Sequence, residues 1–208
     1  MYQLLLDSSN KYLSVGISKN KKVIDSIFYE AWQRQSEVMV LETENILKRN
    51  KVDVKDLDSI VVGIGPGSYT GVRIAITIAK TMAYALKLKL YKVSSLSLLK
   101  DRQKPTICVF NARSGRVYFG VYDNNKVIES DQVLTIEEAK DYISKHPDYS
   151  LSGDTNVLGM DSIDFDIIGN LNDSIREDNL VENAFTLSPI YLKDLMKWSI
   201  LDLLKTLI

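Results

Sequence analysis

The sequence has very few of the residues that build disulfides and zinc sites. It contains one cysteine, Cys108, and one histidine, His146, in 208 residues. A single cysteine cannot form an internal disulfide, which fits a reducing compartment and predicts a cytoplasmic protein. Zinc sites usually take three or four cysteine or histidine ligands, so the composition excludes a site of that kind. His146 precedes a proline in a polar stretch and is expected at the surface.

Long apolar runs and an excess of positive charge are also lacking. No stretch approaches the roughly 18 apolar residues of a membrane helix. The first residues, Met1–Asp7, lack the basic region of a signal peptide, so no membrane association is expected. The formal net charge is −1. The chain therefore has no broad basic face for a phosphate backbone, and unaided tight binding to nucleic acid is not expected.

The first half of the sequence is predicted to form a mixed sheet. Its predicted strands are 3–6, 12–18, 23–29, 59–64 and 90–93. Helices are predicted over 36–50, with Ser36 as the N-cap, and over 71–86. The order βββαβαβ describes an antiparallel meander joined to parallel crossovers.

The second half begins like the first. Shifting the sequence by 104 residues lays 4–26 over 108–130 without a gap, and the turn residues and apolar alternation keep their phase. This repeat predicts two lobes, 1–103 and a reduced 104–208, each opening with a three-stranded meander. Such a plan is that of the actin-like, ribonuclease H-like α/β fold.

The rest of the second half has a different order of elements. A helix over 135–144 is predicted to start with a capping box formed by Thr135 and Glu138. Short strands are predicted at 149–152 and 166–168, and an amphipathic helix over 192–207.

A glycine-rich loop connects the predicted strand 59–64 to the helix 71–86. Glycines before a helix N-terminus can cradle a phosphate, because backbone amides can approach the anion closely. The loop has no Gly-Lys-Ser/Thr ending, and Ser68 replaces a glycine of the dinucleotide motif. The alternative is a tight turn in which Pro66 is rigid, the glycines relieve strain, and Ser68 or Thr70 caps the helix. The residues alone favour the tight turn.

The helix behind the loop has an unusually wide apolar sector. Its main apolar stripe comprises Val72, Ala75, Ile76, Ala79, Ala83 and Leu86. A second set widens the sector to roughly 200°, whereas a helix covered on one side needs about 100°. This set comprises Ile74, Ile78, Met82 and Ala85. Because the only obvious internal neighbour is the helix 36–50, we expect a partner protein to cover the second set together with Val38 and Leu41.

Several ordered segments of the sequence form a specific pattern. The loop signature is Gly65-Pro66-Gly67-Ser68-Tyr69-Thr70-Gly71-Val72-Arg73-Ile74 followed by Ala79-Lys80. Further segments are Leu6-Asp7-Ser8-Ser9, Ser36-Glu37, Val93-Ser94-Ser95-Leu96, Asn111-Ala112-Arg113 and Pro189-Ile190-Tyr191-Leu192-Lys193. Together these segments resemble the TsaB (YeaZ) family. Three positions depart from the family pattern, namely Gln35 for histidine, Asn111 for aspartate and Arg116 for glutamate. The segments 100–105 and 153–166 look shortened.

The resemblance implies a non-catalytic scaffold subunit of the complex that makes threonylcarbamoyladenosine on tRNA. It implies a TsaD-like metal-dependent transferase as partner through helices of the first lobe, with a TsaE-like ATPase joining. Contact with tRNA is then expected only through the complex, and the same surface is expected to close a homodimer when the partner is absent. No catalytic, cofactor-binding or metal-ligating residue is predicted in this chain.

The alternative is an independent ATP-dependent transferase on the same fold. It depends on the glycine-rich loop and on Asp7 in the first meander turn. Actin-like enzymes that use ATP need a carboxylate on each meander turn, or a metal, and here the second turn offers only Asn111. Asp7 itself is interpreted as capping its own turn. Cys108 lies in an apolar run and is predicted to be packed in the core.

Overall fold

The computed structural model describes residues 1–31 and 34–192, and its first half forms a five-stranded sheet. The strands are β1 (Tyr2–Asp7), β2 (Tyr12–Lys19), β3 (Lys22–Glu30), β4 (Leu57–Gly63) and β5 (Lys89–Val93). Their order is β3-β2-β1-β4-β5, with β1 antiparallel to β2 and parallel to β4. This is the predicted meander joined to parallel crossovers.

A four-stranded sheet follows in the second half. Its strands are β6 (Thr106–Arg113), β7 (Arg116–Asp123), β8 (Lys126–Thr135) and β9 (Ser150–Gly153), in the order β8-β7-β6-β9. The strands β6, β7 and β8 begin 104 residues after β1, β2 and β3. The matched inward positions Leu13, Val15, Ile17, Val117, Phe119 and Val121 are all fully buried. The mixed α/β architecture with two meander-led sheets confirms the predicted fold class.

The two meanders differ by one residue in pairing register. Leu5 lies opposite Gly16 in the first sheet, whereas Cys108 lies opposite Gly120 in the second. The shift arises from an irregularity between Asn111 and Arg113, at the end of β6. A bulge of this kind re-aims the residues that follow it, here those of the second meander turn.

Four helices pack on these sheets. They are α1 (Gln35–Arg49), α2 (Tyr69–Leu86), α3 (Ile136–Ser144) and α4 (Ile167–Asp173). The capping box of α3 is confirmed, since Thr135 and Glu138 exchange the expected hydrogen bonds. The prediction that Ser36 caps α1 is wrong, because the helix already includes Gln35 and its N-cap, Arg34, makes no side-chain cap. The buried Gln35 side chain instead donates to the carbonyl of Asn10 at 3.2 Å, which ties the helix start to the first meander turn.

The predicted strand 166–168 is also wrong, because this segment begins α4. The Asp166 carboxylate accepts a hydrogen bond from the Gly169 amide at 2.8 Å and so acts as N-cap. Ile168 and Leu171 then pack against Leu5 of the first sheet. The boundary predicted at 103/104 falls between the two sheets and stays a prediction. The predicted helix 192–207 lies outside the described residues apart from its first position.

The first sheet has helices on both faces. The helices α1 and α2 cover one face over the largest apolar core, while α4 covers the other. The helix α3 packs on the second sheet. None of the helices within 1–31 and 34–192 is long and apolar enough to cross a membrane.

Candidate functional site

A cleft of about 980 Å³ lies between the two meander turns and the glycine-rich loop. The first turn follows β1, the loop joins β4 to α2, and the second turn follows β6. The polar lining residues are Ser9, Asn10, Lys11, Glu30, Ser68, Thr70, Asn111, Arg113 and Asp154. The sequence motifs therefore meet at one place, and the chemistry of this cleft bears on the alternative of an ATP-dependent enzyme.

The Asp7 carboxylate is engaged within its own turn. One of its oxygens accepts from the Ser9 amide at 3.1 Å and the Ser9 hydroxyl at 2.9 Å. The other accepts from the Ser95 hydroxyl at 3.1 Å. Burial raises the pKa of Asp7 to about 6, against the lowering effect of the hydrogen bonds from Ser9 and Ser95. Asp7 is 1% exposed and is not among the residues lining the cleft, which confirms that it caps its turn.

The glycine-rich loop is pressed against the backbone of the first turn. The Ser68 amide donates to the Ser9 carbonyl at 2.6 Å, and the Ser68 side chain caps α2 by accepting from the Gly71 amide. A Cβ at Gly67 would lie 2.2 Å from the Ser9 carbonyl oxygen, and one at Gly71 would lie 1.9 Å from that of Ser8. Only glycine fits at such distances. The tight-turn interpretation is therefore confirmed, with Ser68 as the cap and Thr70 exposed on the cleft side.

The second turn repeats the first with a neutral side chain. The side-chain oxygen Oδ1 of Asn111 accepts a hydrogen bond from the backbone amide of Arg113 at 2.8 Å, as the Asp7 carboxylate accepts from the Ser9 amide in the first turn. Sequence reasoning missed a carboxylate that lies beside this turn: the backbone N–H of Asn111 donates to the Asp154 carboxylate at 2.9 Å. Asp154 follows β9, which runs parallel to β6, so the carboxyl ends of the two strands meet at one edge. A prediction that β9 pairs with β6 in parallel would have placed Asp154 beside the second turn.

Actin-like enzymes hold a magnesium-bound nucleotide in this cleft, and the residues present do not fit that ligand. The carboxylate of Asp7 is enclosed by Ser9 and Ser95, and Asn111 carries no charge. Glu30 forms an ion pair with Lys11 at 3.2 Å, so among the described lining residues Asp154 is the carboxylate that makes no ion pair. Within 1–31 and 34–192 no three histidine, cysteine, aspartate or glutamate side chains are grouped to hold a metal ion.

Stacked side chains form one wall of the cleft. The rings of Tyr69 and Tyr191 stack with centroids 5.4 Å apart, and the Arg73 guanidinium lies 5.0 Å from the Tyr69 ring centre. Arg73 also donates to the Tyr69 hydroxyl. The loop signature residue Arg73 thus orients the Tyr69 ring, and the stack of that ring on Tyr191 holds the start of α2 against the later segment.

The predicted interface residues form a partly exposed apolar surface on α1 and α2. We call this surface, made of Val38, Leu41, Ile74, Ile78, Met82 and Ala85, the α1/α2 face. Val38, Ile74, Ile78 and Met82 are half-buried and rest on the main core, while Leu41 and Ala85 are exposed. Val40, which the sequence reasoning left out, is 58% exposed next to Leu41. Their role as an interface stays a prediction.

The signature residue Lys80 fastens the later chain to α2. Its ammonium group donates to the carbonyls of Phe185 and Leu187 at 2.9 and 3.0 Å. With the Tyr69–Tyr191 stack at the other end of α2, these contacts lay the segment 183–191 along the helix. The sequence predicts no contact for Lys80, because nothing in the local sequence shows that a segment about 100 residues later returns to it.

Two further residues lie outside the cleft. Cys108 is fully buried, and burial raises the pKa of its thiol, which confirms the core-packing interpretation. His146 is half-buried between the rings of Tyr142 and Tyr149, with Nδ1 2.8 Å from the Tyr142 carbonyl oxygen. This histidine therefore packs against its own helix end.

Comparisons with known proteins give consistent relatives. A family model described as "TsaD: tRNA N6-adenosine threonylcarbamoyltransferase" matches residues 29–180. The chain is 29% identical over 153 residues to "tRNA threonylcarbamoyladenosine biosynthesis protein TsaB" of Buchnera aphidicola, covering 68% of this chain and 72% of that protein. The protein of that name from Bacillus subtilis is 35% identical over 123 residues, which cover 57% of this chain and only 54% of that protein.

A solved structure, YeaZ from Pseudomonas aeruginosa, has a TM-score of 0.76 and 23% identity, and covers 92% of this chain and 99% of that one. At that identity the likeness supports the actin-like fold and nothing more specific. The family model covers most of the sequence, and the relatives from Buchnera aphidicola and Bacillus subtilis carry the same name. The chain therefore belongs to the family that the TsaD model describes and, within it, to the TsaB (YeaZ) group.

Proposed function

We propose that this protein acts in the synthesis of threonylcarbamoyladenosine on tRNA as a non-catalytic scaffold for a TsaD-like transferase. That subunit would move threonylcarbamoyl from its adenylate to the tRNA adenosine. The names of the relatives and of the family model support the pathway. The scaffold role depends chiefly on the α1/α2 face, an apolar surface whose side chains are half-buried or exposed among the described residues.

The cleft chemistry supports a non-catalytic role. A magnesium-bound phosphate needs carboxylates that can reach the ion. Asp7 is enclosed in its turn, and its counterpart in the second turn is neutral Asn111. Cys108 is buried, so it offers no nucleophile at the surface. The chain thus keeps the fold of an ATP-using enzyme without a matching pair of charged turns.

The α1/α2 face suits a helix-to-helix interface. Ile74 and Ile78 are one turn apart on α2, and Met82 is one turn further, so the three form a ridge. Such a ridge packs into the groove of a facing helix, and apolar atoms left half-exposed gain most from being covered. The assembly would include a TsaE-like ATPase in the cytoplasm. Transfer RNA would be bound through the complex, and the face would close a homodimer when the partner is absent.

Replacing Ile78 by aspartate tests the interface. A charge buried there without a counter-ion should weaken association with the TsaD-like subunit by at least about tenfold. The matched control is Thr77→Asp, an exposed neighbour outside the α1/α2 face. Association measured by calorimetry should be lost with Ile78→Asp and kept with Thr77→Asp. Unchanged association of a folded Ile78→Asp protein would disprove the interface.

A second candidate, an independent ATP-dependent transferase, is favoured by one observation. Asp154 adds a carboxylate to the cleft of about 980 Å³ beside the second meander turn, where the sequence alone indicates only Asn111. Calorimetry with magnesium ATP separates the candidates. Micromolar binding that is lost in Asp154→Asn would support the enzyme and reject the scaffold-only role. Absence of binding while the Ile78-dependent association persists would support the scaffold.

A further inference from the structure

A second groove, of about 700 Å³, lies at the far end of α2 from the cleft. We call it the Tyr84–Phe185 groove after two exposed rings at its edge. Tyr84 and Phe185 are 66% and 65% exposed, and their rings meet edge-on with centroids 4.7 Å apart. Tyr84 is about 120° around α2 from Ile78. Ala85 of the α1/α2 face also lines the groove, so the groove adjoins the end of that face.

The shape of this groove is fixed by backbone contacts. The Val181 amide donates to the Leu90 carbonyl at 2.8 Å, so the chain pairs briefly with the edge strand β5 before it turns away. Lys80 then holds the carbonyl of Phe185 against α2. Because the chain leaves β5 after the first contact and reaches α2 at the second, a groove lies between them. The floor of this groove is aliphatic. The floor residues are Ala83, Leu88, Leu90, Leu180 and Val181.

The rim of the groove carries more positive than negative charge. Lys87 and Lys89 are exposed at the rim, and neither makes an ion pair with any residue of 1–31 or 34–192. Glu182 is the single carboxylate among the lining residues. Exposed aromatic rings held in place over an aliphatic floor are typical of sites that take an anchor side chain from a partner. The lysines select against basic partners and favour acidic ones.

We propose that the Tyr84–Phe185 groove docks a segment of a partner protein that carries an apolar or aromatic anchor beside acidic residues. This proposal is independent of the proposed function. A second copy of the chain fits less well, because a twofold contact would bring the lysines of both copies together. The chain's own segment 193–208 carries three lysines and two aspartates and so lacks the complementary charge. RNA is disfavoured because only two cations border an aliphatic floor.

Short synthetic peptides test the proposal on the full chain. The probes are Asp-Glu-Phe-Leu-Glu-Asp, its all-lysine analogue with the same Phe-Leu centre, an acidic peptide with serines at the centre, and octauridylate. Fluorescence anisotropy should show the acidic anchored peptide binding at least about tenfold tighter than the other three. Replacing both rings, Tyr84→Ser with Phe185→Ser, should abolish binding, whereas the exposed control Val127→Ser should keep it.

Reversal of the rim charge gives a variant that leaves the rings in place. The double variant Lys87→Asn with Lys89→Glu should prefer the all-lysine peptide. Equal binding of acidic and basic peptides, or no saturable binding of any peptide at roughly millimolar concentration, would overturn the proposal. Preferential binding of octauridylate would overturn it in favour of RNA. Dimerisation that depends on Tyr84 in sedimentation would overturn it in favour of a second copy.

Discussion

Asp7 and Asn111 perform the same structural task with different electrostatic cost. Each side-chain oxygen caps its meander turn by accepting from the amide two residues later. Asn111 is exposed and neutral, whereas Asp7 is buried and its pKa is raised to about 6. A carboxyl group whose pKa is higher in the folded than in the unfolded state binds protons better when folded. The contribution of Asp7 to the free energy of unfolding therefore falls as the pH rises from about 4 to about 6.

Asp7→Asn should remove this pH dependence. The free energy of unfolding of the variant, relative to the natural chain, should rise by up to about 3 kcal/mol between pH 4 and pH 7. The amide can still accept from Ser9, and the altered bond to Ser95 adds an offset that does not vary with pH. Urea titrations at several pH values measure the slope, with exposed Asp148→Asn as the control for one lost charge. Parallel stability curves for Asp7→Asn and the natural chain would contradict the assignment.

At the scale of elements, prediction succeeded where local periodicity determines the type of element and failed where contacts with distant parts of the chain determine it. The buried stripe of α2 follows from spacing alone. The segment 166–168 is short and apolar, which does not distinguish a strand from a helix, and the packing of Ile168 on Leu5 comes from the other half of the chain. The cleft site was predictable at its turns but not at Asp154, which only the β6–β9 pairing brings there.

Lys80 is expected to keep the segment 183–191 on α2. Lys80→Met retains the aliphatic part of the side chain and removes both hydrogen bonds to the carbonyls of Phe185 and Leu187. Each such charged bond contributes about 1.5–3 kcal/mol, so the segment should open far more often. Hydrogen exchange should quicken in 183–191 and stay unchanged in β1 and β4. The control Lys55→Met lies outside this contact, and equal exchange in both variants would show that Lys80 does not hold the segment.

At the scale of the whole molecule, a polar cluster joins the two sheets. Ser94 directly follows β5 of the first sheet, and its hydroxyl donates to Asp131 of β8 at 2.6 Å. Tyr122 of β7 donates to the same carboxylate. The internal repeat predicted the two meanders but gives no information on this contact, since the repeat relates the sheets to each other without saying how they touch.

Loss of the Ser94 hydroxyl should weaken the contact between the sheets in a pH-dependent way. Burial raises the pKa of Asp131, while the hydrogen bonds from Ser94 and Tyr122 oppose that rise. In Ser94→Ala the charged carboxylate loses a donor, so the pKa of Asp131 should rise further and the fold should lose about 1–3 kcal/mol at neutral pH. The loss should shrink below pH 4, where a protonated carboxyl needs the donor less. Urea unfolding at both pH values measures this, with exposed Ser188→Ala as the control. A loss of equal size at both would mean that Ser94 acts through packing and not through the charge of Asp131.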